Sequence, residues 1–359
     1  MSIYKNLGQN DTSDFKTNLY EQIPVTGTII SGTYGTFPSE SNIKYFSNND
    51  HIDVYDYPYA SSSANFLFSM TAGRTTDSTG VDANVEKDLK NNIYRLFAQQ
   101  YVGYDTNQNV VPFNASGVLN PANTWDPVKF SDAIFINFDR VIMKDEIKKG
   151  SFRLTIGTGS YANPFVGTKT LSDAYVVANN PTTYRTNSPM GDYAFLQLGT
   201  QSTTVPTETS YGLIFYDAGL AVLATNTLTF GTELTSGSSF ATTTALTPQG
   251  AMLSASINDI VNGVRAHVQN IEFNNTTELN SRVYFCRLNN NEFNYSSNPS
   301  YTSASQIVVK NNPNDPPVSY ITAVGLYSPD NQLLAVGKLS EPLKKTPGNE
   351  FTLRMRLDY

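Results

Sequence analysis

One cysteine, one tryptophan and two histidines occur among 359 residues. With Cys286 alone, neither an internal disulfide framework nor a cysteine zinc site can form. His51 and His267 leave little material for metal binding or acid–base chemistry. Charge is scarce as well. Asp, Glu, Lys and Arg make up 15% of the chain, where about 25% is usual. The balance is acidic, net −7 with a pI near 4.9, which argues against a binder of phosphate backbones. No apolar run approaches the roughly 18 residues of a transmembrane helix. The opening MSIYKNLGQNDTSDFK lacks the apolar core of a signal peptide, so no secretory route is expected.

What is present is aromatic and polar: 22 Tyr and 20 Phe, 12% aromatics in all, in a background of Ser, Thr and Asn. A disordered chain would lack these aromatics. A coiled coil would need far more Ala, Glu, Lys and Leu. Low charge with abundant Tyr and Phe suits a β-rich protein that buries surface against other chains, because interface cores favour aromatics and exclude Lys, Glu and Asp.

The pattern along the chain predicts a mainly β fold, antiparallel β-sandwich units with one or two amphipathic helices. Residues 1–20 read as an extended N-terminal arm. Residues 21–270 read as a β-rich central region, with helices near 81–101 and 257–268. Residues 271–359 read as a C-terminal β-sandwich docking module. Ile23, Val25 and Ile29 share one parity, with Gly27 as a weak point. Over 81–101, Val85, Leu89, Ile93, Leu96 and Phe97 form one apolar helix face, with Glu86, Lys87, Asp88, Lys90 and Asn91 on the polar side. Gly103 is placed to end that helix. Ile134, Ile136 and Phe138 alternate as a strand, and so do Phe152, Leu154 and Ile156. Leu213–Tyr216 and Leu220–Leu223 flank Asp217-Ala218-Gly219 as a hairpin. Residues 230–255 suggest loops and edge strands. Ile257, Ile260, Val261, Val264 and Val268 define the second helix. After residue 270, strand and turn alternate every eight to twelve residues or so, a sandwich signature. Ile321, Ala323, Leu326, Leu334 and Val336 are its expected buried set.

The sequence carries no P-loop and no Gly-x-Ser-x-Gly elbow. Asp53 and Asp56 lie three apart on a strand pattern, which turns their side chains to opposite faces and opposes paired glycosidase work. Asp11, Asp14, Asp315 and Asp330 do not follow a calcium-loop spacing. Cys286, in an apolar strand, reads as a small core residue. The reading is therefore a non-enzyme, with no catalytic, cofactor-binding or metal residues. Tyr55, Tyr57 and Tyr59, with Phe293, Tyr295, Tyr301 and Tyr327, are the candidate interface residues. Aromatic faces also suit sugars, so a glycan-binding role is an alternative.

The segment Tyr320-Ile321-Thr322-Ala323-Val324-Gly325-Leu326-Tyr327, its Asp330-Asn331 turn, and Leu333-Leu334-Ala335-Val336-Gly337-Lys338 resemble a pattern of tailed-phage virion proteins. There an Ile-Thr-x-x-Gly-Leu-Tyr strand precedes a Leu-x-Ala-Val-x-Lys strand, as in docking modules of tail fibres and baseplates. Ile23–Tyr59, Phe130–Phe152 and Ile271–Lys310 are similar to virion structural proteins of marine contractile-tailed (myovirus-type) bacteriophages. The resemblance implies a structural protein of the virion, most simply a baseplate wedge subunit. Its implied partners are other tail or baseplate subunits and copies of itself in a symmetric assembly, with no nucleic acid and no membrane insertion. It would assemble in the host cytoplasm and reside in the virion tail. The alternatives are a neck, collar or capsid-decoration protein, or a receptor-binding tail protein.

Overall fold

A computed structural model describes residues 4–25, 40–75, 86–114, 129–159, 164–173, 184–199, 210–225, 248–296, 301–303, 306–307, 312 and 314–359. Val85, Trp125, the glycine run at 27–35 and Val308–Val309 lie outside the described residues. In chain order the strands and helices begin with β1 (Thr12–Pro24), β2 (Ile43–Tyr45), β3 (Ile52–Tyr55), β4 (Phe66–Arg74), α1 (Lys87–Tyr101) and β5 (Asp132–Phe138). Then come α2 (Arg140–Met143), β6 (Glu146–Ile147), β7 (Arg153–Gly157), β8 (Thr168–Ser172), β9 (Arg185–Ser188) and β10 (Gly191–Leu198). They are followed by β11 (Gly212–Phe215), β12 (Leu220–Ala224), α3 (Pro248–Ser254), α4 (Ile257–His267) and β13 (Val268–Leu288). The chain closes with β14 (Thr302–Ser303), β15 (Gln306–Ile307), β16 (Ser319–Tyr327), β17 (Leu333–Lys345) and β18 (Phe351–Asp358). The protein is mainly β, and the chain divides into two compact units: residues 19–277, and residues 1–18 with 278–359.

In the large unit, the strand order is β13-β7-β8-β10-β11-β12-β5-β4-β3-β2. Neighbouring strands along β7-β8-β10-β11-β12-β5-β4-β3-β2 are all antiparallel. β10 is the corner strand. Its Tyr193–Leu196 stretch pairs with β11, while Gln197 and Leu198 pair with β8. The sheet thereby folds over on itself, and the inner faces meet through aromatic rings. Phe138 of β5 lies edge-on to Phe152, 5.8 Å away, and to Phe273 of β13, 5.3 Å away. Alternation in β5 and in the hairpin β11–β12 sends residues to two cores. Ile134, Ile136, Phe138, Ile214, Ala221 and Leu223 face the main one. Ala133, Phe135, Leu213, Phe215, Leu220 and Val222 face a second core against α1. Both faces of these strands are covered, so their sequences read as near-continuous apolar runs. Gly219, at φ +65°, closes the β11–β12 turn.

Helix α1 runs where the 81–101 pattern predicts a helix, but the expected face is rotated. Its buried residues are Lys90, Tyr94, Ala98 and Tyr101. Leu96 is exposed, and Leu89, Ile93 and Phe97 are half-buried. Lys90 therefore belongs to the buried side, not the polar one. Three contacts set this rotation. Gly73 of β4 lets the α1 backbone approach so closely that a Cβ there would sit 2.8 Å from the Tyr94 nitrogen. The Tyr94 hydroxyl donates to the Phe130 carbonyl and accepts from the Phe113 N–H. The Lys90 ammonium donates to the carbonyls of Met252 and Ala255 at the end of α3, and burial brings its pKa down to about 8. Residues 248–254, expected as loop or edge strand, form α3, with Pro248 at its first position where no N–H is needed. In α4, Ser256 caps the helix by accepting from the Asp259 N–H, and burial extends round most of the helix rather than along one stripe.

In the small unit, Ser281–Leu288 of β13 pairs antiparallel with all of β18, from Ser281 opposite Asp358 to Leu288 opposite Phe351. Strand β1 is a neighbour of β13. β16 and β17 form a separate antiparallel hairpin. The sheet and hairpin layers touch at Gly337, where a Cβ would lie 3.5 Å from the Met355 methyl. Phe351, Leu353, Met355 and Leu357 alternate as the half-buried face of β18.

Candidate interaction surface

The base of the β16–β17 hairpin is fixed by side chains. Lys345 is fully buried, and its ammonium donates to the Asn290 carbonyl, the Asn294 amide oxygen (2.7 Å) and the Thr346 carbonyl (2.9 Å). Ser319 donates to the Phe293 carbonyl, and Tyr301 donates to the Val318 carbonyl. These bonds tie both ends of the hairpin to residues 290–294 and to Tyr301. Beyond them, two irregularities alter the simple alternation. Register shifts between Ile321 and Ala323, and between Leu326 and Tyr327. An extra residue at such a bulge changes which face the following side chains occupy.

The consequence is an apolar face turned outward. Leu326 is buried and Ile321 half-buried, as the pattern predicts. Ala323, Leu334 and Val336 are exposed instead, Leu334 by 66%. At the second bulge, Tyr327 pairs with Leu333, and both Leu333 and Leu334 stand in solvent. The Tyr327 ring lies over Gly325, where a Cβ would be 2.9 Å from the ring. Tyr4 meets Tyr327 edge-on at 5.0 Å. Eleven of the twenty exposed large apolar side chains among the described residues belong to the small unit, which holds under a third of the chain. Such density is unusual for a free surface.

The seven aromatic candidates fall into two groups. Phe293, Tyr295, Tyr301 and Tyr327 belong to the small unit. Tyr301 supports the hairpin base through its hydroxyl and Phe293 through its backbone carbonyl, while the Phe293, Tyr295 and Tyr327 side chains are exposed. Tyr55, Tyr57 and Tyr59 belong to the large unit. Tyr55 is half-buried on β3, edge-on to Phe66. Tyr57 and Tyr59 are exposed in the turn that follows. Sequence reasoning missed Tyr4, Leu333 and the outward role of Leu334 and Val336. The only local signal was the Gly325/Tyr327 spacing, which suits an aromatic ring laid over a glycine.

The titratable groups are committed elsewhere. Asp56 accepts from the Asn65 backbone and side-chain amides. Asp53 is half-buried, and burial raises its carboxyl. His51 contacts Asp50 at 2.6 Å and stacks on Phe46. Both His267 nitrogens face backbone carbonyls, of Gly263 and Gly159, and burial lowers its pKa. Cys286 is half-buried opposite Leu353 rather than in the core. Among the described residues no three metal-ligating side chains cluster. Among them, too, no helix is long and apolar enough to cross a membrane.

No protein-family model matches the chain, and neither the curated proteins nor the solved structures compared with it show a significant match.

Proposed function

We propose that this chain is a non-enzymatic structural protein of a tailed-phage virion, a baseplate wedge subunit that holds tail components together through β-rich interfaces. The observation that carries the reading is the outward apolar face of a hairpin whose base is locked. A rigid, preorganised patch loses little entropy on docking. The low charge of the chain lowers the desolvation cost of stacking subunits. The Gly-Leu-Tyr and Leu-x-Ala-Val-x-Lys strands of the phage-like pattern are the two strands that present this face.

Mass spectrometry of purified virions, dissociated in steps, tests it. Co-release with tail-tip proteins is the expected result. Co-release with head or neck proteins would discard the wedge placement, and absence from particles would overturn the virion reading. The exposed Tyr57 and Tyr59 favour one second reading, a receptor- or glycan-binding tail protein. A glycan array probed with the wild type and with Tyr57→Ala decides it. Binding lost in the variant would support it, and no binding would remove it.

A further inference from the structure

Strand β16 reads Ser-Tyr-Ile-Thr-Ala-Val-Gly-Leu-Tyr, nine residues without a charge. β17 pairs with one of its edges, and among the described residues no strand pairs with the other. An uncharged edge rich in β-formers is a template for strand pairing. β17 is different. It carries Lys338, Glu341, Pro342 and Lys344, the residues that blunt an edge. Among the described residues, only one edge of this hairpin is thus left competent to pair.

We propose that the free edge of β16 pairs antiparallel with β16 of a second copy of this chain, about a two-fold axis at Gly325. The result is a four-stranded sheet, β17–β16 from each copy. The occupant follows from self-complementarity. In this register Ala323 faces Tyr327 of the second copy, Val324 faces Leu326, and Gly325 faces Gly325. Ala323, Gly325 and Tyr327 are exposed, while Val324 and Leu326 turn inward, so every pair shares a face. Large meets small on the outward side, and no charge is buried. A strand pair of this length buries far less than the roughly 800 Å² per partner of a standard interface. The dimer is accordingly weak, with a dissociation constant of about tens to hundreds of micromolar. Linkage of many copies in an assembly would strengthen it. The proposal stands on the strand itself and does not rest on the virion reading.

The test is sedimentation equilibrium of the full chain from about 5 to 500 µM, the span that brackets such a constant. A monomer–dimer equilibrium is expected. Ala323→Asp should weaken it by at least about tenfold, because the carboxylate meets an aromatic ring without a partner. Combining Ala323→Asp with Tyr327→Lys should restore it, by setting Asp against Lys across the axis. Val336→Asp, on the outward face of the neighbouring strand, should leave it within about twofold. Ala323 is exposed, so circular dichroism should report an unchanged fold. As a second measurement, the double variant Ala323→Cys, Tyr327→Cys should form a covalent dimer on oxidation, since opposed Cα atoms lie about 4.5–5.5 Å apart. Neither single variant should do so. A wild type that stays monomeric throughout while the double-cysteine chain fails to cross-link would overturn the proposal. A dimer indifferent to Ala323→Asp would overturn it too.

Discussion

Asp173 shows how one residue can tie stability to pH. It is fully buried. Its carboxylate accepts from the Gly150 N–H (2.8 Å), the Phe152 N–H (2.9 Å) and the Tyr216 hydroxyl (2.8 Å). Three donors favour the ionised form, but desolvation outweighs them and pushes the carboxyl from 3.8 up to about 6. A folded-state pKa above the unfolded one means that the folded chain binds the proton more tightly. The contribution of Asp173 to stability is therefore greatest below pH 4 and is lost as pH rises through 6, by about 3 kcal/mol in all. The exposed carboxylates Asp14 and Glu292, which ion pairs hold below their usual range, act in the opposite sense at lower pH. Comparison with Asp173→Asn isolates the buried group. Urea midpoints measured from pH 4 to 7 should show the variant losing the downward component carried by the wild type. Because an amide NH₂ must then face one of the donors, the variant should also be less stable at pH 4, by about 1–3 kcal/mol. Equal slopes for the two proteins would refute the assignment.

At the scale of elements, the packing of α1 on β4 rests on the missing side chain of Gly73. A methyl group there would stand 2.8 Å from the Tyr94 nitrogen and 3.0 Å from its Cα, both backbone atoms that can yield only if the whole helix shifts. Gly73→Ala should destabilise the protein by about 1–3 kcal/mol in denaturant titrations. A neutral result would show that the helix slides freely. Tyr94→Phe should cost about 1–3 kcal/mol, because it leaves the Phe130 carbonyl and the Phe113 N–H buried without that partner. These same contacts explain what the sequence made legible. The existence of α1, α4 and the β11–β12 hairpin follows from local periodicity and from turn residues such as Gly219. The rotation of α1 does not. A pattern that counts apolar residues assigns Lys90 to solvent, whereas carbonyls contributed by α3, 162 and 165 residues away, make a buried ammonium tolerable. The outward face of β16–β17 was hidden for a related reason. Two bulges break the period of two, and a bulge is set by pairing with another strand rather than by the strand's own residues.

The whole molecule adds a constraint that no local pattern contains. The small unit is assembled from both ends of the chain. An extended segment at residues 12–24 can be read from sequence, but its pairing with β13, which begins more than 240 residues later, cannot. Residues 4–18 are almost entirely exposed. Beyond the strand ladder they are held by ion pairs: Lys5 to Glu292 (2.5 Å), Asp11 to Arg287 (2.9 Å), Lys16 to Glu278 (2.6 Å), and Asp14 to both the Nε (2.5 Å) and terminal nitrogen (2.8 Å) of Arg282. Exposed pairs of this kind contribute about 0–1 kcal/mol each and are screened by salt. β18 depends instead on eight consecutive paired residues and an apolar face. The two strands should therefore part company as ionic strength rises. In hydrogen exchange followed by mass spectrometry, amides of residues 12–18 should lose protection several-fold between about 0.05 and 1 M NaCl, where the screening length falls to roughly 3 Å. Amides of 351–358 should barely change. Arg282→Glu, which sets like charge against Asp14, should reproduce the high-salt pattern at low salt. If residues 12–18 keep their protection under both conditions, the ladder alone holds the N-terminal strand and the ion pairs are incidental to it.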